Sequence, residues 1–279
     1  MNEALITMPV DPQLRTLDIE IPTQPEVLVK LALLMAAEEV DLAAMSALVE
    51  GDMALAAAVM KAVNSSLYGL RGRVQTVHQA LTYLGMREVA AITFEMGLRA
   101  AFPPAAELDP VWRRAAERGV MMGRMGQMLG VDPWAAHSAG LFEECGKAVL
   151  YRHASAHYPA MLRATRSDVE LAELEVTAFG VSHDALGAAL CESWGLGSAA
   201  VASVRHHVEV QATLVMPEAL QRRSISAIST VAWALQMQPD QLEAVASAMA
   251  AQVNLDEALV LRAARRVSEQ LAQAQEHGR

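Results

Sequence analysis

Apolar residues recur along this chain at intervals of three and four, and no stretch alternates convincingly, so the spacing predicts helices throughout. The first stripe is Val27, Leu28, Leu31, Leu34 and Met35, behind a Pro25 whose missing N–H is not needed in a first helical turn. Asp41, Asp52 and Thr76 each stand directly before a new apolar stretch. They predict N-caps, because a side-chain oxygen there accepts from the N–H groups that a helix start leaves free. Asp109-Pro110 and Asp132-Pro133 join such an oxygen to a following proline and predict two further starts, while Gly51, Gly85, Gly130 and Gly180 suit helix C-caps.

Breaks in the pattern divide the chain. Residues 1–20 carry Pro9 and Pro12 without sustained periodicity and read as a leader or linker rather than a packed element. Consecutive prolines at Pro103 and Pro104 forbid helical continuation, so residues 102–109 mark a subdomain boundary. A second break falls at Thr213 to Pro217, and Pro239 and Asn254 separate the amphipathic segments of a helical extension over residues 211–279. The expected architecture is all-α, many helices of moderate length joined by short turns, with no repeat of fixed period.

Composition narrows the function classes. The 279 residues are 53% hydrophobic and only 4% aromatic, which supplies large cores built from Ala, Leu, Val and Met. A formal charge of −10 opposes nucleic-acid binding, which depends on cations neutralising phosphates. Lys61, Arg71 and Arg73 form the nearest basic group and read as a solvated loop rim. Two distant cysteines, Cys145 and Cys191, indicate neither a disulfide framework nor a thiolate zinc site and read as small buried hydrophobes. Neither a signal-peptide pattern nor a stretch of about 18 apolar residues is found, so no membrane role and a cytoplasmic location are expected.

The most informative segment is residues 139–150, A-G-L-F-E-E-C-G-K-A-V-L. It resembles the A-G-L-L-H-D-I-G-K helix of the HD superfamily, in which the adjacent His-Asp pair binds the catalytic metal; here Glu143 and Glu144 hold those places. Ile21-Pro-Thr-Gln-Pro-Glu-Val27 resembles the L-P-x-L-P-x-V opening of HDOD domains, the HD-related output domains of bacterial signalling proteins. Residues 52–68, from Asp52 to Tyr68, are similar to that family's D-P-x-L-x-x-x-V-L-x-x-x-N-S-x-x-Y helix, and residues 77–85 to its I-x-x-A-I-x-x-L-G segment. Glu175, Phe179-Gly180, His183, Gly187, Trp194 and His206-His207 continue the family's order. The resemblance covers about residues 21–210. It implies an N-terminal helical part (21–102) packed on an HD-like part (109–210), and a role in signal transduction.

The departures bear on chemistry. A catalytic HD site needs an early His, the His-Asp pair and a late Asp. The early position aligns with Arg114, the pair is Glu143-Glu144, and the late position falls near Trp233, so three ligand places lack their usual ligands. Adjacent helical residues point about 100° apart. The simplest account is therefore that one glutamate is exposed and the other pairs with a cation such as Arg114; joint binding of a hard cation is the sharper alternative. His183, behind the N-cap candidate Ser182, is expected to be structural. Of His206 and His207, one is expected to be buried and hydrogen-bonded against the His183 helix while the other meets solvent. Asn64-Ser65-Ser66 suit a turn closed by local hydrogen bonds, and Met121, Met122, Met125 and Met128 suit an adaptable core.

The expectation is a non-enzymatic signalling module with no cofactor and no bound metal, whose vestigial site is Arg114, Glu143, Glu144, His183, His206 and His207. Its partner would be an unidentified signalling protein or a small nucleotide. The alternatives are a divergent metal-dependent phosphohydrolase using Glu143, Glu144, His183 and His206 or His207 around a metal, and a small-molecule sensor whose ligand sits in the degenerate HD cavity.

Overall fold

The computed structural model describes residues 11–37, 41–65, 67–68, 70, 72–218 and 223–277. Among them there is no strand, and fifteen α-helices follow one another in three groups. The first holds α1 (Glu26–Ala36), α2 (Leu42–Glu50), α3 (Met53–Val63), α4 (Val77–Leu84) and α5 (Met86–Ala100). The second holds α6 (Asp109–Leu129), α7 (Pro133–Phe142), α8 (Cys145–His153), α9 (Tyr158–Ala164), α10 (Asp168–Phe179), α11 (His183–Ser193) and α12 (Ser198–Thr213). The third is α13 (Ser224–Met237), α14 (Leu242–Val253) and α15 (Glu257–His277).

Local chemistry sets most boundaries. Asp41 accepts from the Ala44 amide at 2.8 Å, Asp52 from Ala54 at 2.8 Å, Thr76 from Gln79 at 3.1 Å and Asp132 from Trp134 at 3.0 Å. Asp109 departs from its expected role. Leu108 is the cap residue and Asp109 the first helical one, because a 3₁₀ turn over Ala106–Leu108 runs directly into α6. Asn64 closes its turn by donating to the carbonyls of Met60 (3.0 Å) and Val74 (2.8 Å), so it also ties the end of α3 to a residue ten positions on. Ser66 and Arg71 lie outside the described residues, and Lys61 and Arg73 are exposed as expected.

Residues 11–20, expected as an unpacked leader, are in part packed. Pro12–Thr16 forms a 3₁₀ turn that buries Leu14 and rests on α10, and the Glu20 carbonyl lies 3.0 Å from His153 Nε2. Just beyond, the Trp194 indole donates to the Pro22 carbonyl at 2.8 Å, fastening the segment before α1 to the end of α11.

The first two groups share one core. Although aromatics are scarce, Phe94 of α5 stacks on Phe142 of α7 with centroids 5.8 Å apart and meets Trp134 at 5.4 Å, while Phe142 meets Trp194 edge-on at 5.7 Å. These rings carry large apolar area and favour offset or edge contacts, so the few available mark the seam between the groups. Met121, Met122 and Met125 are buried beside it, whereas Met128 turns outward; both cysteines are buried free thiols, their pKa raised by burial. The third group closes the other side, α13 and α15 packing against α6 and α13 against α12. No single helix among the described residues is long and apolar enough to cross a membrane.

The approach of α6 to α7 fixes the site. Gly119, Gly123 and Gly126 of α6 face His137, Pro133 and Ala136, and a Cβ at Gly140 of α7 would lie 2.9 Å from the Arg118 carbonyl. Without side chains at these positions the two backbones come close enough to set Arg118 above the end of α7.

Glu95 of α5 is buried, with Arg99 at 3.7 Å, and burial raises its carboxyl to about 7 against the pull of that guanidinium. A raised carboxyl stabilises the fold fully below its unfolded value near 4.5 and loses that contribution as pH climbs through about 7. Glu95→Gln is therefore expected to abolish a loss of about 3 kcal/mol between pH 4.5 and 8. Urea unfolding of both proteins across that range checks it, and parallel stability profiles would refute it.

Candidate functional site

The segment over residues 139–150 is not one helix. It divides at Glu143 and Glu144 into α7 and α8, the two glutamates forming a turn whose backbone stays in the right-handed helical region. Both are buried, contrary to the expectation that one would be exposed. Each has its own cation. Arg114 grips Glu144 with two hydrogen bonds, Nη2 to Oε2 at 3.0 Å and Nε to Oε1 at 3.3 Å, which is the pairing expected for that residue.

The residue that explains the burial of Glu143 is Arg118, one turn beyond Arg114 and 1% exposed. Its Nη1 lies 2.9 Å from Glu143 Oε2 and 3.9 Å from Glu144 Oε1, so the carboxylates do converge on one cation, a guanidinium. Arg118 also donates to Gln236 Oε1 from Nη2 at 3.0 Å, and Gln236 in turn donates to Glu117 at 3.1 Å. On the other side, Glu143 Oε1 accepts from Ser229 Oγ at 2.5 Å, and Gln211 Nε2 stands 3.5 Å from both Glu143 and Ser229. The α13 residue facing the pair is thus Ser229, one turn before Trp233, where the sequence placed the late ligand. Trp233 lines the wall of a surface pocket instead.

Lys147 extends the network. Its ammonium, buried, meets Glu144 Oε2 at 3.0 Å and Asp168 Oδ1 at 2.7 Å. Three cations (Arg114, Arg118, Lys147) thereby balance three carboxylates (Glu143, Glu144, Asp168) in one connected cluster. Burial alone would push the Glu144 carboxyl up; Lys147 and Arg114 overcome it and hold it down at about 2. Asp168 is likewise held low against burial by Lys147.

Beyond Asp168 lie the histidines. His183 is buried at the start of α11, where the expected cap Ser182 makes no side-chain bond. Glu175 of α10 does that work, its Oε2 accepting from the His183 amide and lying 2.7 Å from His183 Nδ1, while its Oε1 accepts from the Tyr158 hydroxyl. Burial lowers the affinity of His183 for a proton, but the Glu175 carboxylate outweighs it and raises the pKa. His207 is buried as expected, but its hydrogen bond runs to its own helix and not to that of His183: its Nδ1 lies 2.7 Å from the Val204 carbonyl, while its ring meets His183 edge-on at 5.6 Å, and burial lowers its pKa. His206 faces outward beside Glu209 and is not brought to the site. Asp168, His183 and His207 each offer a ligand atom, all within 4.8 Å of one another.

Of the residues singled out from sequence, then, Arg114, Glu143 and Glu144 form one cluster, His183 and His207 a second, and His206 neither. Lys147 and Asp168 join the two clusters and, with Arg118, were not singled out. The HD metal does not fit the glutamate pair. A divalent ion between Glu143 and Glu144 would have to displace the Arg118 guanidinium already bonded there, and Ser229 supplies no carboxylate.

The fold has known counterparts. A protein of Geobacter sulfurreducens described as an HDOD domain protein superposes with a TM-score of 0.69 at 19% identity, covering 94% of each chain. One from Marinobacter aquaeolei VT8, whose name assigns it to signal transduction, gives 0.70 at 21% identity over 93% of this chain and 59% of its own. A third, from Shewanella amazonensis SB2B with a provisional phosphohydrolase name, gives 0.64 at 19% identity over 92% and 93%. In sequence, an uncharacterized protein of Treponema pallidum (strain Nichols) is 26% identical over 196 residues, which span 67% of this chain and 37% of that protein. The profile of the HDOD domain matches residues 21–210, about two thirds of the sequence, and with these helices in this order the chain belongs to the HDOD domain family.

Proposed function

We propose that this protein is a non-catalytic signalling module that acts by binding another protein or by coupling conformational changes between its helical groups. The observation that carries this reading is the buried Arg118 guanidinium between Glu143 and Glu144. Hydrolysis of a phosphoester at an HD site relies on a metal that polarises the phosphate and activates water. Here the pair in the metal-binding places is neutralised by arginine and lysine, and both carboxylates are engaged in ion pairs.

Coupling has a physical seat in a groove of 440 Å³ at the seam, with Met35 and Arg87 on the first group and Gln127 and Trp134 on the second. Across it Arg124 Nη2 bonds Glu88 Oε1 at 3.0 Å. Whatever binds one arrangement of this seam more tightly than another shifts the population toward it. The groove also favours a second reading, a sensor of small nucleotides, because Trp134 offers a ring for stacking and Arg87 a charge for a phosphate.

The test is a hydrolysis assay with the intact chain, supplied with Mn²⁺ or Zn²⁺, on nucleoside triphosphates and cyclic dinucleotides. Turnover is expected to stay at the level of metal without protein. Hydrolysis lost in Glu144→Ala would overturn the reading in favour of a phosphohydrolase. A nucleotide that raises the melting temperature of the native chain but not of Arg87→Ala would favour the sensor.

A further inference from the structure

Two imidazoles and a carboxylate meet where α10, α11 and α12 converge, outside the Glu143–Glu144 pair. Their hydrogen bonds define which atoms are left to act. The Val204 carbonyl can only accept, so His207 Nδ1 carries the proton and Nε2 of the neutral ring holds a lone pair. The Glu175 carboxylate sets the neutral His183 ring the same way, and His183 Nε2, fully buried, has no hydrogen-bond partner among the described residues. A buried acceptor left without a donor is costly. Histidines that ligate metals are held in this manner, with one ring nitrogen on a carboxylate or backbone carbonyl and the other presented to the ion.

We infer that Asp168, His183 and His207 form a binding site for a divalent transition ion of the zinc class. Two imidazole nitrogens with one carboxylate suit zinc and its neighbours and disfavour magnesium and calcium, which take oxygen ligands. Three protein ligands leave a fourth tetrahedral position for solvent or an anion. The ligand atoms lie within 4.8 Å of one another, and a tetrahedral zinc site needs them roughly 3.3–3.6 Å apart, so small side-chain movements suffice to close on an ion. A surface pocket of 230 Å³ whose wall includes Asp168, Gln211 and Trp233 brings solvent to the carboxylate of the three. Lys147, bonded to Asp168 Oδ1, opposes a second cation and makes the site reversible rather than permanent. The same lysine holds Glu144, so occupancy is communicated to the Arg114 and Arg118 cluster. The site needs no activity at the glutamate pair and stands whether or not the signalling reading does.

Zinc binding to the intact, metal-stripped chain at pH 8, measured by competition with a chromophoric chelator, is expected to show one ion per chain. Asp168→Asn and His207→Gln should each weaken binding at least about tenfold, and Glu175→Gln, which releases the His183 ring, about ten- to a hundredfold. Circular dichroism of each metal-free variant establishes that it is folded. Cobalt in place of zinc should give visible absorption bands that Asp168→Asn diminishes. Absence of stoichiometric zinc, or zinc retained undiminished by folded Asp168→Asn and His207→Gln proteins, overturns the assignment.

Discussion

Arg118→Met is expected to destabilise the protein by about 3–5 kcal/mol, the loss associated with stripping one partner from a buried ion pair. Methionine replaces much of the aliphatic bulk but leaves Glu143 buried with Ser229 and Gln211 as its remaining donors, and Glu144 short of one of its three cations. The loss has a pH signature. Glu144 is held down at about 2, so its contribution is present above its unfolded value near 4.5 and disappears as pH falls through about 2. The gap between Arg118→Met and the native protein should accordingly be widest near neutrality and narrow in acid. Adding Glu143→Gln to Arg118→Met should recover part of the stability, because an amide left there is cheaper than a charge. Guanidinium unfolding at pH 7 and pH 3 measures all of this. A single variant as stable as the native chain at pH 7 would show that the cluster is not what holds the two carboxylates.

Gly146→Ala is expected to be as damaging through sterics alone. A methyl group there would fall inside the contact distance of the His183 carbonyl oxygen and 2.6 Å from its carbon, and both obstacles are backbone of α11, which no rotamer change can remove. Because α11 is also confined at Gly187, whose Cβ would lie 2.9 Å from the Phe142 carbonyl at the end of α7 and 3.6 Å from the Gly146 amide nitrogen of α8, α8 and α11 cannot slide past one another to make room. The shift would carry Lys147, the next residue, away from Asp168. A cost of about 3 kcal/mol or more is expected, at the upper end of overpacking. Gly197→Ala, at an exposed position with φ of −60° and nothing near its Cβ, should cost under about 1 kcal/mol. Equal unfolding midpoints for the two variants would contradict the close packing of α8 on α11.

What the sequence made legible was mostly local. Asp41, Asp52, Thr76 and Asp132 cap helices through bonds to amides two or three residues on, so their signal lies in the residues beside them. The family resemblance likewise located α3, α4 and the Glu143–Glu144 pair correctly. The break at that pair was not legible, because every residue around it suits a helix. Arg118 escaped for a different reason, since its partners Glu143 and Gln236 lie 25 and 118 residues away. One clue was present. Val111, Ala115, Met122 and Met125 trace the buried face of α6, and Arg118 falls in the same stripe, a charge where only a partnered one is tolerated. Asp168 gave no such hint, being an ordinary acidic residue in a first helical turn until the fold brings Lys147 and His183 to it.

The reach of the polar cluster bears on the order of assembly. Gln236 meets Arg118 across 118 residues and Ser229 meets Glu143 across 86, and loop closure on that scale must precede any gain from the contact. The first two helical groups can collapse early, but Arg118 and Glu143 stay hydrated until α13 arrives. Docking of that helix is therefore the event that dries the interior, and a chain stalled before it would be a partly wet globule, the form most exposed to proteolysis.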